Sequence, residues 1–223
     1  MAVGKAMKVF LLALSTLLLS SCAVGADKSM PYKSWFLGFA APAYMEVWIE
    51  TAQVVDIQKQ VFRGAGGGIA SVATPPNNQG NPKGWAGNNG GGAGRHVTGA
   101  DLPRLIYVRW QSLVEPQTYN VRINIPLWVR EEMVKPQRAY CRFDGKWIDD
   151  LYWKDITIGL APGGIAKVWL QGACLAPIEI GRFVGAVSKV GPYGGKSGGE
   201  YYRPPSESSK TYIEKFGIPY GSW

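Results

Sequence analysis

The sequence predicts a mainly β fold, an antiparallel β-sandwich or partly closed barrel with one short helix and a long Gly/Asn-rich loop. Three observations predict it. In residues 119–125, Tyr119, Val121, Ile123 and Ile125 share one parity, while Asn120, Arg122 and Asn124 take the other. Successive strand side chains point to opposite faces, so this spacing buries one face and wets the other. The apolar runs 156–160 and 165–171 flank Ala161-Pro162-Gly163-Gly164, the composition of a hairpin turn. One short helix is expected at 127–135, opened by Pro126 and stopped by Pro136, because proline fits a first helical position and cannot continue an interior.

The remaining elements follow in order. Residues 35–41 form a first apolar run. In 44–56, Met45, Val47 and Ile49 alternate with Glu46, Trp48 and Glu50, and 54–63 continues that strand or pairs with it. Residues 64–99 hold twelve glycines and five asparagines. A segment so poor in apolar side chains is expected to be a mobile insertion between strands, since burial would not offset its ordering entropy. Strands are expected at 105–110, 139–143 and 147–153, the last two joined by the tight turn Asp144-Gly145-Lys146, and again at 179–187. The β domain thus spans 32–187, with about seven to nine strands. Residues 188–223, rich in Gly, Ser, Pro and Tyr, read as a loosely ordered tail.

The N-terminus has its own logic. Lys5 and Lys8 precede an apolar run at 9–19, which is too short for the roughly 20 residues needed to span a bilayer. Residues 1–21 therefore read as a removable export signal. It ends Leu19-Ser20-Ser21-Cys22, which resembles the lipobox of bacterial lipoproteins. The resemblance implies cleavage before Cys22, lipidation of its thiol and new amino group, and attachment to a membrane through the lipid anchor and a tether at 22–31. Several acyl chains hold firmly where one binds only marginally. The next residue is Ala23 rather than Asp, which by the same likeness implies the outer membrane, periplasmic face, in the cell envelope.

Removing the signal takes away two of 24 basic residues and none of the 16 acidic ones, so the mature charge is 22 − 16 = +6. That suits an acidic partner and is equally ordinary for a solvated surface. Nucleic acid is excluded as a partner by the compartment and by the lack of a dense Lys/Arg patch. Cys141 and Cys174 remain beyond the anchor. An oxidising compartment permits a disulfide between them; two buried free thiols are the other reading.

No catalytic constellation emerges, and no enzyme, cofactor or metal is expected. The one histidine, His96, sits in the glycine-rich segment, a poor place to hold a base beside a nucleophile, and no close-spaced ligand set surrounds it. Gly191-Pro192-Tyr193-Gly194-Gly195-Lys196-Ser197 lacks the first glycine of a phosphate loop, with Val190 in its place. Asp149 and Asp150 are adjacent, so a strand would point them apart. The residues left for binding are Trp48, Arg109, Trp110, Lys167 and Trp169. Trp and Arg dominate protein-interface hot spots, and exposed Trp also stacks on sugars.

Three segments carry a family likeness: Trp35-Phe36-Leu37-Gly38-Phe39, Leu160-Ala161-Pro162-Gly163-Gly164 and Val168-Trp169-Leu170-Gln171-Gly172. Over residues 31–190 the chain resembles a widespread family of proteobacterial lipoproteins classed as a domain of unknown function. Its members look to lie often beside genes for type VI secretion phospholipase effectors. The resemblance implies an immunity protein that binds and neutralises a lipase-like protein toxin. An envelope glycan- or peptidoglycan-binding or structural lipoprotein without catalytic activity is the alternative.

Overall fold

The structure is a computed structural model that describes residues 30–85 and 91–223. The export signal, Cys22 and most of the tether at 22–31 lie outside the described residues. Two five-stranded sheets face each other across a single apolar layer, and neither closes into a barrel. The fold is a β-sandwich.

The first sheet contains β1 (Ser34–Ala40), β4 (Gly92–Thr98), β9 (Asp155–Ala161), β10 (Ile165–Gly172) and β11 (Leu175–Val184), in the order β11-β10-β9-β1-β4. The second contains β2 (Val47–Asp56), β3 (Val61–Ile69), β5 (Pro103–Ser112), β6 (Gln117–Asn124) and β12 (Ala186–Val187), in the order β12-β6-β5-β2-β3. All pairings are antiparallel except β1 with β9. A parallel neighbour is available to β1 because 114 residues, 41–154, separate the two strands, in register from Phe36 with Asp155 to Ala40 with Gly159, far more than the dozen or so a crossover needs.

Alternation sorts the two faces of each sheet. Trp35, Leu37 and Phe39 of β1, Ile156, Ile158 and Leu160 of β9, and Ala166, Val168 and Leu170 of β10 point inward. They meet Val47, Ile49, Ile106, Val108, Trp110, Val121 and Ile123 from the other sheet. Burying aliphatic side chains of this size contributes about 1.5–3 kcal/mol each, which makes this layer the main favourable term. Helix α1 (Leu127–Met133) begins after Pro126 and closes one end with Val129 and Met133.

Among the described residues twelve strands form, more than the seven to nine expected. The difference lies largely in the glycine-rich segment, which is not a mobile insertion across 64–99: β3 and β4 take up most of its two ends. Glycine is what the packing requires there. A Cβ at Gly66 would stand 2.4 Å from the Phe39 ring, one at Gly94 2.5 Å from the Leu37 carbonyl oxygen, and one at Gly92 2.3 Å from the Ser71 amide. The strands approach closely because side chains are missing, a use of glycine that composition alone reads as looseness.

The tail is a second departure. Residues 188–223 are ordered over the sandwich and include helix α2 (Glu207–Phe216). Ser206 caps α2 by accepting from the Ser209 amide, and Gly217 ends it at φ 73°, the left-handed backbone that glycine supplies at helix ends. Trp223 packs with Tyr44, Met45, Ala161 and Ile165 in a small second core at the end opposite α1. Among the described residues, no helix is long and apolar enough to cross a membrane.

Candidate binding surfaces

The outer face of the second sheet is held by two buried carboxylates. Glu46 precedes β2 and Glu50 lies within it, on the same parity as Trp48. Glu46 is 1% exposed. It accepts from the Ser206 amide at 2.8 Å, the Ser209 hydroxyl at 2.7 Å, the Ser206 hydroxyl and the Arg203 guanidinium. Burial alone would favour the neutral acid, but the donors from Ser206, Ser209 and Arg203 outweigh it and hold Glu46 below its ordinary value of 4.5. Glu50 accepts from the Arg109 guanidinium, from Gln111 at 2.9 Å and from the Tyr193 amide at 2.6 Å. Gln111 in turn accepts from the Tyr202 amide at 2.8 Å. The tail is thus strapped to the sheet by buried polar groups on β2, on β5 and just ahead of β2.

The five residues singled out for binding divide three ways. Trp48 and Arg109 come together on this strapped face, with the Tyr202 ring over Trp48 and Glu50 beside Arg109. Trp110 is 0% exposed and lies in the core beside Tyr119, so its expected role at a partner surface is corrected. It shares parity with Ile106 and Val108, opposite to Arg109. Lys167 and Trp169 lie on the outer face of the first sheet, where Lys167 pairs with Glu179 at 2.9 Å and Trp85 covers Trp169 edge-on at 5.2 Å. Neither Trp48 nor Trp169 stands bare.

Cys141 and Cys174 are disulfide-bonded, with Cα atoms 4.9 Å apart. Asp144 brings a carboxylate close to both sulfurs, but sulfurs bonded to each other are not thiolate ligands, so the trio fits a staple and not a metal centre. His96 is on β4 rather than in a loop. It packs edge-on against Phe36, which is in register with both His96 and Asp155. The strand β1 therefore separates His96 from Asp155 by two strand spacings, about 9–10 Å, too far for a direct His–Asp hydrogen bond. Burial pushes Asp155 above its ordinary 3.8, against the pull of Lys154 and His96.

Outside both sheets stands a third, two-stranded unit, β7 (Gln137–Cys141) and β8 (Lys146–Leu151). Its exposed aromatics, Tyr140, Phe143 and Trp147, were not among the candidates from the sequence. The signal was available in the alternation of Arg138, Tyr140 and Arg142 with Ala139 and Cys141. The strap residues Arg203, Ser206 and Ser209 were also missed; a serine cap ahead of Tyr212, Ile213 and Phe216 was their signature.

The described residues thus form a β-sandwich with a strapped sheet face, a covered tryptophan face and a stapled hairpin. The family described as Protein of unknown function (DUF2931) matches residues 23–221, and the chain belongs to it. No curated protein and no solved structure matches the chain.

Proposed function

We propose that the chain is a lipid-anchored protein of the outer membrane, facing the periplasm, that binds and neutralises a secreted antibacterial effector of lipase type without catalysis of its own. The observation that carries the reading is that Val184, Val187 and Val190 leave apolar side chains exposed along one short stretch of chain, with Val184 in register with Ile165 and the exposed Tyr220 beside Gly163, both at the β9–β10 turn, at the end of the sandwich remote from the tether. The tether side is fixed by Tyr32, whose hydroxyl donates to the Met133 carbonyl at 2.9 Å. Exposed apolar side chains on a rigid frame suit a protein interface. The lipobox-like Leu19-Ser20-Ser21-Cys22 supports the anchor.

The polar groups favour a binder as well. Glu46 and Glu50 are engaged by the fold's own donors, and Asp56 accepts from the Gln60 and Asp101 amides at 2.9 and 3.1 Å. A catalytic carboxylate must reach a substrate, and these three are spent on the frame. The covered positions of Trp48 and Trp169 remove the two sugar-stacking platforms expected from the sequence, which weighs against the glycan-binding alternative.

The test deletes this gene with its neighbour intact and exposes the cells to competitors that secrete the effector. Survival is expected to fall without the chain and to return with the wild-type gene, but not with a Val184→Asp, Val187→Asp variant. Equal survival in all strains, with retention of the unlipidated chain on purified peptidoglycan, would favour the alternative. Radioactive palmitate should label the wild type and not Cys22→Ala; equal labelling would contradict the anchor.

A further inference from the structure

The hairpin β7–β8 divides into two faces. Ala139, Cys141 and Ile148 turn toward the body, where the Cys141–Cys174 bond fixes the hairpin to the turn between β10 and β11. The other face carries Arg138, Tyr140, Trp147 and Asp149. Tyr140 packs edge-on to Trp147 at 5.9 Å, and the Arg138 guanidinium lies 5.5 Å from the Trp147 ring. At the tip, Phe143 is 97% exposed, and Trp147 is 60% exposed. Water is a poor environment for such a projection, and a rigid one cannot collapse to hide it.

The tether says what covers it. Tyr32 donates to Met133 at the end of α1, and its ring packs against Tyr152, one residue beyond β8, with centroids 5.6 Å apart. The chain therefore leaves the body at the base of the hairpin. From Met30 back to Cys22 is eight residues, at most about 28 Å fully extended. Six residues from Gln137 to Phe143 give the finger a comparable reach of about 20 Å. Whatever surface holds Cys22 lies within range of Phe143.

Resting on the lipid-anchor reading, we propose that the β7–β8 hairpin is a membrane finger, with Phe143 and Trp147 seated at the boundary between phospholipid headgroups and acyl chains. Tyr and Trp concentrate at that depth because their rings are apolar and their polar atoms stay wet, and Arg138, Arg142 and Lys146 reach back to the headgroups. Residues 137–151 hold three basic and three acidic side chains, so the contact is apolar rather than electrostatic and depends little on anionic lipid or salt. A finger held this way leaves the Val184 and Tyr220 end facing the periplasm.

The test uses the full-length acylated protein in vesicles of phosphatidylethanolamine and phosphatidylglycerol that carry a phospholipid with a carbene-generating acyl chain. After illumination, label is expected in the peptide containing Phe143 and Trp147. A Phe143→Ser, Trp147→Ser variant is expected to lose about tenfold or more of that label, with Cys22 acylation and urea midpoint unchanged because both residues are exposed. Acylated protein with no label in the hairpin would overturn the proposal. So would protection of the hairpin from proteolysis by an added effector and not by vesicles, which would make it a protein-binding surface. If Cys22 carries no acyl group the anchor reading falls by itself. Sedimentation of that unacylated chain with the same vesicles then decides the finger: loss of binding in the double variant supports it, and absence of binding in the wild type ends it.

Discussion

The rings of Trp48 and Tyr202 lie face to face, with centroids 3.5 Å apart and planes within 6°. One belongs to β2 and the other to the tail, so the pair marks where the tail is pressed onto the second sheet. Stacked aromatics add about 0.5–1.5 kcal/mol beyond the area they bury. Tyr202→Ala should lower stability by about 1–2 kcal/mol, since Tyr202 remains partly exposed. Urea denaturation followed by tryptophan fluorescence measures it. An unchanged midpoint would mean that the strap does not depend on this contact.

Glu46 makes the strap sensitive to acid. Its folded-state value is depressed by Ser206, Ser209 and Arg203, so its contribution is fully present above about 4.5, the unfolded value, and is lost as pH falls through the folded value. Glu46→Gln should therefore flatten the pH dependence of the urea midpoint between neutral pH and pH 3. The raised value of Asp155 pushes the opposite way in both proteins and cancels in the comparison. Glu46→Ala, which leaves the donors of Arg203 and Ser209 unserved, should cost about 3 kcal/mol and expose the 193–209 segment to protease.

Reduction should act on the hairpin. The Cys141–Cys174 bond closes a loop with a sequence separation of 33, worth about 3–4 kcal/mol by chain entropy. A Cys141→Ser, Cys174→Ser variant should stay folded, because neither residue belongs to the main core, yet exchange amide hydrogens faster in 137–151 than the oxidised wild type. Equal exchange rates would show that contacts other than the bond hold the hairpin.

Gly92→Ala should cost about 1–3 kcal/mol by overpacking, because its Cβ would fall on Ser71 backbone. Replacing an interior strand glycine ordinarily helps or is neutral through chain entropy, so the sign separates close approach from looseness. A stabilised Gly92→Ala variant in thermal melts would contradict the packing.

The fold class was legible because burial follows parity. Ile106, Val108 and Trp110 against Leu105, Tyr107 and Arg109 is a period-2 record of an inside and an outside, and applied strictly it also sends Trp110 to the core, away from its neighbour Arg109. The glycine-rich strands were illegible because the partners that make Gly66 and Gly92 necessary, Phe39 and Ser71, come from elsewhere in the sequence. The outward direction of Lys167 and Trp169 could be read, whereas the cover over Trp169 could not, since Trp85 lies 84 residues away. Tail order depended on Glu46 and Glu50, whose acidic character pointed to water; burial with donors from 157 to 163 residues downstream reversed it for Glu46.

The central claim is that this chain neutralises a lipase-type effector by binding it. The most direct measurement titrates the acylated protein, in phospholipid vesicles, against a purified secreted effector of lipase type and follows fatty-acid release. The account predicts that hydrolysis falls in proportion to added protein and stops near one chain per effector, with Val184→Asp, Val187→Asp shifting the curve to higher concentration. Undiminished hydrolysis at a large excess of the wild-type chain would contradict it.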